Sequence, residues 1–187
     1  DGHLLKACVT EVLKPFIEDE DPWLSAELTQ DTLANILGLE ILEYLNVREE
    51  TVSSLYKIVS EIAHSAQVTT RYVDQAPLID PADQAPLSSS WKIGIDNRAI
   101  RDHVDIVEPL NYRQSASEIQ SIAEHYRQSV GGEIVSILRP TYPDNVSEKA
   151  LVDKVQGLKA TGVNEVDFYL LDTMRPRDLK RIKEALA

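Results

Sequence analysis

The chain has 187 residues, 43% of them apolar, and a net charge of −12. That length suits one domain with a substantial core, and the charge argues against nucleic acid, whose phosphates would repel it, and is no argument for binding anionic membranes. No apolar run approaches the roughly 20 residues that span a bilayer, and no signal-peptide pattern opens the chain. The single cysteine, Cys8, leaves no internal disulfide and no cysteine cluster for a metal. It fits a reducing compartment such as the cytoplasm.

Residues 1–66 read as a helical segment. "HLLKACVTEVLKPFI" places apolar residues at helical spacing, with Cys8 in the apolar stripe, and Pro15 ends or kinks that helix. "DTLANILGLEILEYL" is apolar enough to be largely buried despite Gly38. "NVREETVSSLYKIVSEIAHSA" opens on a capping box, Asn46 with Glu49 three residues on, and carries a stripe of Val52, Leu55, Val59 and Ile62.

The texture changes at residue 67. "QVTTRYVD" reads as a strand from its β-branched and aromatic content. "QAPLIDPADQAPLSSS", with its prolines and no periodicity, reads as a long loop. A short helix over "DNRAIRDH", a strand "VDIVEPL" and a helix near 115–130 follow, the last with a Ser115/Glu118 capping box. Strand "EIVSIL" leads through "RPTYPD" to a helix from Glu148 to Thr161, capped by Asn145 with Glu148 and closed by Gly162. Strand "EVDFYLL" and a helix after Pro176 finish the chain.

Residues 67–187 therefore form four β/α units, and such alternation requires a parallel sheet with right-handed crossovers. An open doubly wound sheet satisfies the pattern. So does half of a (β/α)₈ barrel, which needs eight strands.

The endings favour the barrel. "ILRPTYPDNVSEKALVDKVQGLKATGVNEVDFYLLDTMRPRDLKRIKEAL" resembles the last two units of a largely uncharacterised family of glycoside-hydrolase-like (β/α)₈ TIM barrels. "LLKACVTEVLKPF" is similar to the segment after that family's fourth strand, and "REETVSSLYKIVSEIA" to the helix before its fifth. The resemblance implies the second half of a TIM barrel, strands five to eight, preceded by a helical segment. The first half would lie on the same gene product or on another chain. It further implies a carbohydrate ligand and no cofactor. The chain departs from the family in having Leu170, Leu171 and Asp172 where Tyr and Gly often follow "FY".

Active sites of barrels lie at the carboxyl ends of the strands. The candidates there are Arg71 and Asp74, then Glu108, Asn111 and Tyr112, then Arg139 and Tyr142, and lastly Asp167, Tyr169 and Asp172. Carboxylates for acid–base work, polar groups for hydroxyls and rings for sugar faces make a mixture suited to carbohydrate. Glu108 and Asp74 are the catalytic candidates, because glycoside hydrolysis needs two carboxyl groups. The others are candidates for substrate binding. Each has a structural reading beside the functional one: Glu108 paired with Arg71 or Arg139, Asp74 as a loop cap, Asp172 as a helix cap, Asp167 paired with Arg71. The four histidines show no paired ligand spacing, and the loops after the last two strands lack the glycines of a phosphate cradle. The alternative to an enzyme is a non-catalytic barrel that binds a glycan or a protein.

Overall fold

A computed structural model describes residues 2–80, 87 and 89–187. The protein is α/β, with a four-stranded parallel sheet alternating with helices. The strands are β1 (Arg71–Asp74), β2 (Ile106–Pro109), β3 (Glu133–Leu138) and β4 (Glu165–Phe168). They lie in the order β1-β2-β3-β4. A doubly wound sheet reverses its strand order partway; this one never does. With right-handed crossovers, an unreversed order places all the connecting helices on one face.

The packing agrees. Tyr72, Val107, Ile134 and Leu138 from one face of the strands form a single cluster with Ile119, Ile122 and Tyr126 of helix Ala116–Ser129. Leu151, Val155 and Leu158 of helix Glu148–Ala160 and Ala185 of helix Pro176–Leu186 join the same cluster. Each fully buried leucine or isoleucine contributes roughly 1.5–3 kcal/mol. Val166 and Phe168 pack against this core, so the alternation of β4 turns Asp167 to the opposite face, which is helix-free among the described residues.

On that helix-free face the register aligns Val73, Glu108, Val135 and Glu165 in one row. Leu110, Ile137 and Asp167 form the next row toward the carboxyl ends. Two residues further along each of these three segments stand Tyr112, Arg139 and Tyr169.

The helical segment comprises α1 (Gly2–Leu13), α2 (Gln30–Leu37) and α3 (Glu40–Ser65). Val9, Leu13, Trp23, Leu28, Leu33 and Leu45 make a second core with Trp91, whose ring meets that of Trp23 edge-on at 5.7 Å. Pro15 lies just beyond the end of α1, as expected of a residue that cannot continue a helix.

Several expectations for this segment are overturned. Gly38, at φ 94°, separates α2 from α3, and Leu39 is left 73% exposed, so that stretch is not largely buried. Asn46 caps nothing, because it lies inside α3, which starts six residues earlier. The stripe expected to be buried is mostly open: Leu55, Val59 and Ile62 are each more than half exposed, and only Val52 packs against the core. Cys8 is exposed rather than core.

Farther along, the Ser115/Glu118 capping box forms as the sequence indicates. Helix Glu148–Ala160 is instead capped by Ser147, whose hydroxyl accepts from the Ala150 amide at 3.1 Å. Gly162 follows that helix at φ 84°, where a Cβ would meet the Arg127 guanidinium at 2.7 Å. The Pro-rich stretch after β1 opens with a short helix, Ala76–Ile79, and its middle lies outside the described residues.

Candidate functional site

The strand ends carry two separate polar clusters, one on each face of the sheet. Asp74 belongs to the helix face. It is completely buried, and its Oδ1 accepts from the Tyr72 hydroxyl at 3.1 Å and from the Ala76 amide at 2.8 Å. Its Oδ2 accepts from the Tyr126 hydroxyl. Burial raises the Asp74 carboxyl above the usual range against the opposing pull of those donors. The same environment raises both phenols, burial first and the nearby Asp74 charge second. This network ties β1 to its following turn and to helix Ala116–Ser129. Because Val73, not Asp74, is aligned with Glu108, the two catalytic candidates point to opposite faces and do not form a pair.

Glu108 faces the helix-free side and is 5% exposed. Its partner is Arg71, whose Nη1 donates to Glu108 Oε1 at 2.7 Å. Arg71 stands at the first residue of β1 rather than at a strand end. Its guanidinium also reaches β4, with Nη2 3.0 Å from Glu165 Oε1 and Nη1 3.6 Å from Asp167 Oδ2. In a flat sheet β1 and β4 would stand about 14 Å apart, so a long side chain laid across the face is what joins them. The hydrogen bonds to Glu108 and then Glu165 raise the Arg71 pKa further. Asp167 thus meets Arg71, but its side chain is 49% exposed, so it is not the buried carboxylate that would need a partner.

Above this layer sits the row that ends the strands. The Arg139 guanidinium lies 4.7 Å from the Tyr112 ring centroid, and Tyr112 stacks on Tyr169 at 6.4 Å with 22° between their planes. Arg139 is fixed by its own loop: Nε donates to Asp144 Oδ2 at 2.6 Å, and the Asn145 amide donates to the Arg139 carbonyl at 2.6 Å. Beneath them, buried Lys154 donates to the carbonyls of Asp144 and Arg113, at 2.6 and 2.7 Å, joining the loops after β3 and β2. Burial lowers the Lys154 pKa to about 8. Burial, with Tyr169 nearby, pushes the Tyr112 phenol up to about 12.

The remaining candidates are dispersed. Asn111 is buried, and its amide donates to Ser136 Oγ at 2.7 Å, so it fastens β2 to β3. Tyr142 is 78% exposed in the loop after β3. Asp172 is exposed in the turn Leu171–Thr173 and does not cap the last helix; Asp178 does, accepting from the Arg175 amide at 2.9 Å. Sequence reasoning missed Asp144, Lys154 and Glu165. An acid five residues after Arg139 in a short loop was a signal for the first; the other two had none.

Among the described residues, no group of three or more His, Cys, Asp and Glu side chains could hold a metal ion, and no helix is long and apolar enough to cross a membrane. Comparison with protein-family models, with curated proteins and with solved structures found no match for the chain.

Proposed function

We propose that the sheet is one half of a (β/α)₈ barrel and that its strand-end rim binds carbohydrate. Three features support the barrel: among the described residues, the helices of the main core pack on one face and the two edge strands have no partner, and α3, whose Tyr56 ring meets Tyr72 of β1, carries a row of exposed apolar residues. A second set of β/α units, upstream in the same gene product or on another chain, would pair both edges and cover that row. The observation that carries the ligand reading is the Tyr112–Arg139–Tyr169 stack. It joins two rings and a guanidinium at the level where barrels bind substrate. Tyr169 is 51% exposed, leaving ring surface for a sugar face, and the guanidinium can donate to hydroxyls.

A second reading, hydrolysis, rests on one observation: the Glu108 and Asp167 carboxylates share Arg71 Nη1. Hydrolysis by two carboxyl groups needs them about 5–5.5 Å apart for retention and roughly 6.5–9.5 Å for inversion, and a shared nitrogen brings these two acids near one another. Against it, both are already engaged by Arg71, which favours binding as the primary role.

Titration with a panel of neutral and acidic oligosaccharides, followed by NMR, tests the first reading. Binding that weakens at least about tenfold in Tyr169→Ala supports it, and no response to any member of the panel sinks it. Hydrolysis is tested by screening the same panel for turnover. Turnover lost in Glu108→Gln would establish it, and turnover undiminished in that variant would remove Glu108 from the mechanism.

A further inference from the structure

Arg139 is held more rigidly than a sugar hydroxyl requires. Its Nε is tied to Asp144, its plane rests on Tyr112, and its main-chain carbonyl is held by Asn145. These restraints leave the edge bearing the two terminal nitrogens, Nη1 and Nη2, without a hydrogen-bond partner among the described residues. The side chain is 35% exposed, so that edge can be reached from the rim. A guanidinium edge with two parallel N–H groups matches a planar carboxylate in two-point contact, and it matches a single hydroxyl poorly. Asp144 occupies only the Nε side of Arg139. The carboxylates of the layer below are turned toward Arg71.

We propose that the rim selects sugars bearing a carboxylate, of the hexuronic acid class, and that Arg139 reads the acid group while Tyr169 takes the face of the ring. This rests on the carbohydrate-binding reading and specifies its substrate class. Arg139 is then the specificity-determining residue, and Asp144 and Asn145 position it.

The test compares four probes by calorimetric or NMR titration: oligogalacturonate, its methyl ester, a glucuronate-containing oligosaccharide and neutral cello-oligosaccharide. The unmodified protein should bind an acid at least about tenfold more tightly than the uncharged probes, the size of one charge-assisted two-point contact. Arg139→Gln should abolish that preference, so that acid and ester bind it equally. Arg139→Lys, which retains charge but not the planar edge, should restore only part of it. Equal affinity for acid and ester in the unmodified protein would overturn the inference and leave the carbohydrate reading standing. A preference that persists in a folded Arg139→Gln would also overturn it. No binding to any of the four probes would end both.

Discussion

Removing the Asp74 carboxylate separates a structural role from a catalytic one. Asp74→Ala would leave the Tyr72 and Tyr126 hydroxyls and the Ala76 amide without their acceptor in a site that is fully buried. Each orphaned buried donor costs about 1–3 kcal/mol, and the three are coupled, so a loss of about 3–5 kcal/mol is expected. Against the 5–15 kcal/mol typical of a domain, that is severe. Asp74→Asn keeps one acceptor oxygen, and its amide can donate to a phenol, so it should cost no more than about 1–2 kcal/mol near neutrality. The two proteins should also differ in pH response. Burial raises the folded pKa of Asp74, so the folded state takes up this proton before the unfolded chain does. The stability owed to Asp74 therefore rises as pH falls through the folded pKa toward the unfolded value of about 3.9. Asp74→Asn lacks that response, so it should compare best with the unmodified protein at neutral pH and worst in acid. Urea unfolding followed by far-ultraviolet circular dichroism at several pH values measures both effects. If Asp74→Ala lost less than about 1 kcal/mol, or if Asp74→Asn were as damaging as Asp74→Ala, the network would not be what holds β1 to its neighbours.

Other outcomes follow from the two layers on the helix-free face and from the helical segment. Arg71→Met would leave buried Glu108 without its cation and should cost about 2–3 kcal/mol, less than a fully buried pair because Arg71 is 40% exposed. Recovery of most of that loss in Arg71→Met/Glu108→Leu by urea unfolding would confirm the pairing. Lys154→Met should release the loops after β2 and β3, seen as faster amide hydrogen exchange around residues 110–114 and 140–147. The unmodified protein should also gain stability as pH rises from about 8 toward about 10.4, because the unfolded chain binds that proton more tightly than the folded one. The gain should be absent in Lys154→Met. On α3, Ile58→Lys should change stability by less than about 0.5 kcal/mol, because Ile58 is 54% exposed. Leu151→Ala in the main core should cost about 2–5 kcal/mol; a large loss at Ile58 would mean that the row on α3 is covered within this chain.

The elements readable in advance were those with local causes. The Ser115/Glu118 box, the glycine after the helix Glu148–Ala160 and the alternation of β4 each depend on residues within a few positions of one another. The α3 stripe was misjudged for the opposite reason. Periodicity shows that a helix has an apolar face, and only tertiary structure shows whether anything in the chain covers it. Asn46 failed as a cap because the helix preceding it runs on unbroken, and Gly38 splits the apolar stretch around it into α2 and α3. In the site, Tyr112, Arg139 and Tyr169 could be named from their places after strands, but their stacking depends on register. Lys154 was hidden because its partners are main-chain carbonyls, which leave no mark in the pattern of side chains.

Register also decides which acids can cooperate. Asp74 and Glu108 follow similar apolar strands, and sequence alone makes them an obvious pair of carboxylates. A shift of one position in β pairing sends a side chain to the other face, and Glu108 is aligned with Val73. The two carboxylates then meet burial in different ways. Asp74 has only neutral donors, whose hydrogen bonds pull its pKa down less than burial pushes it up. Glu108 sits against a guanidinium that it shares with Asp167. Asp74 lies on the face covered by the helix layer, whereas Glu108 and Asp167 lie on the other. Under the proposed carbohydrate reading, acid chemistry would fall to Glu108 with Asp167 rather than to Asp74, and a variant of Asp74 that still folds should bind the same oligosaccharide probes as the unmodified protein.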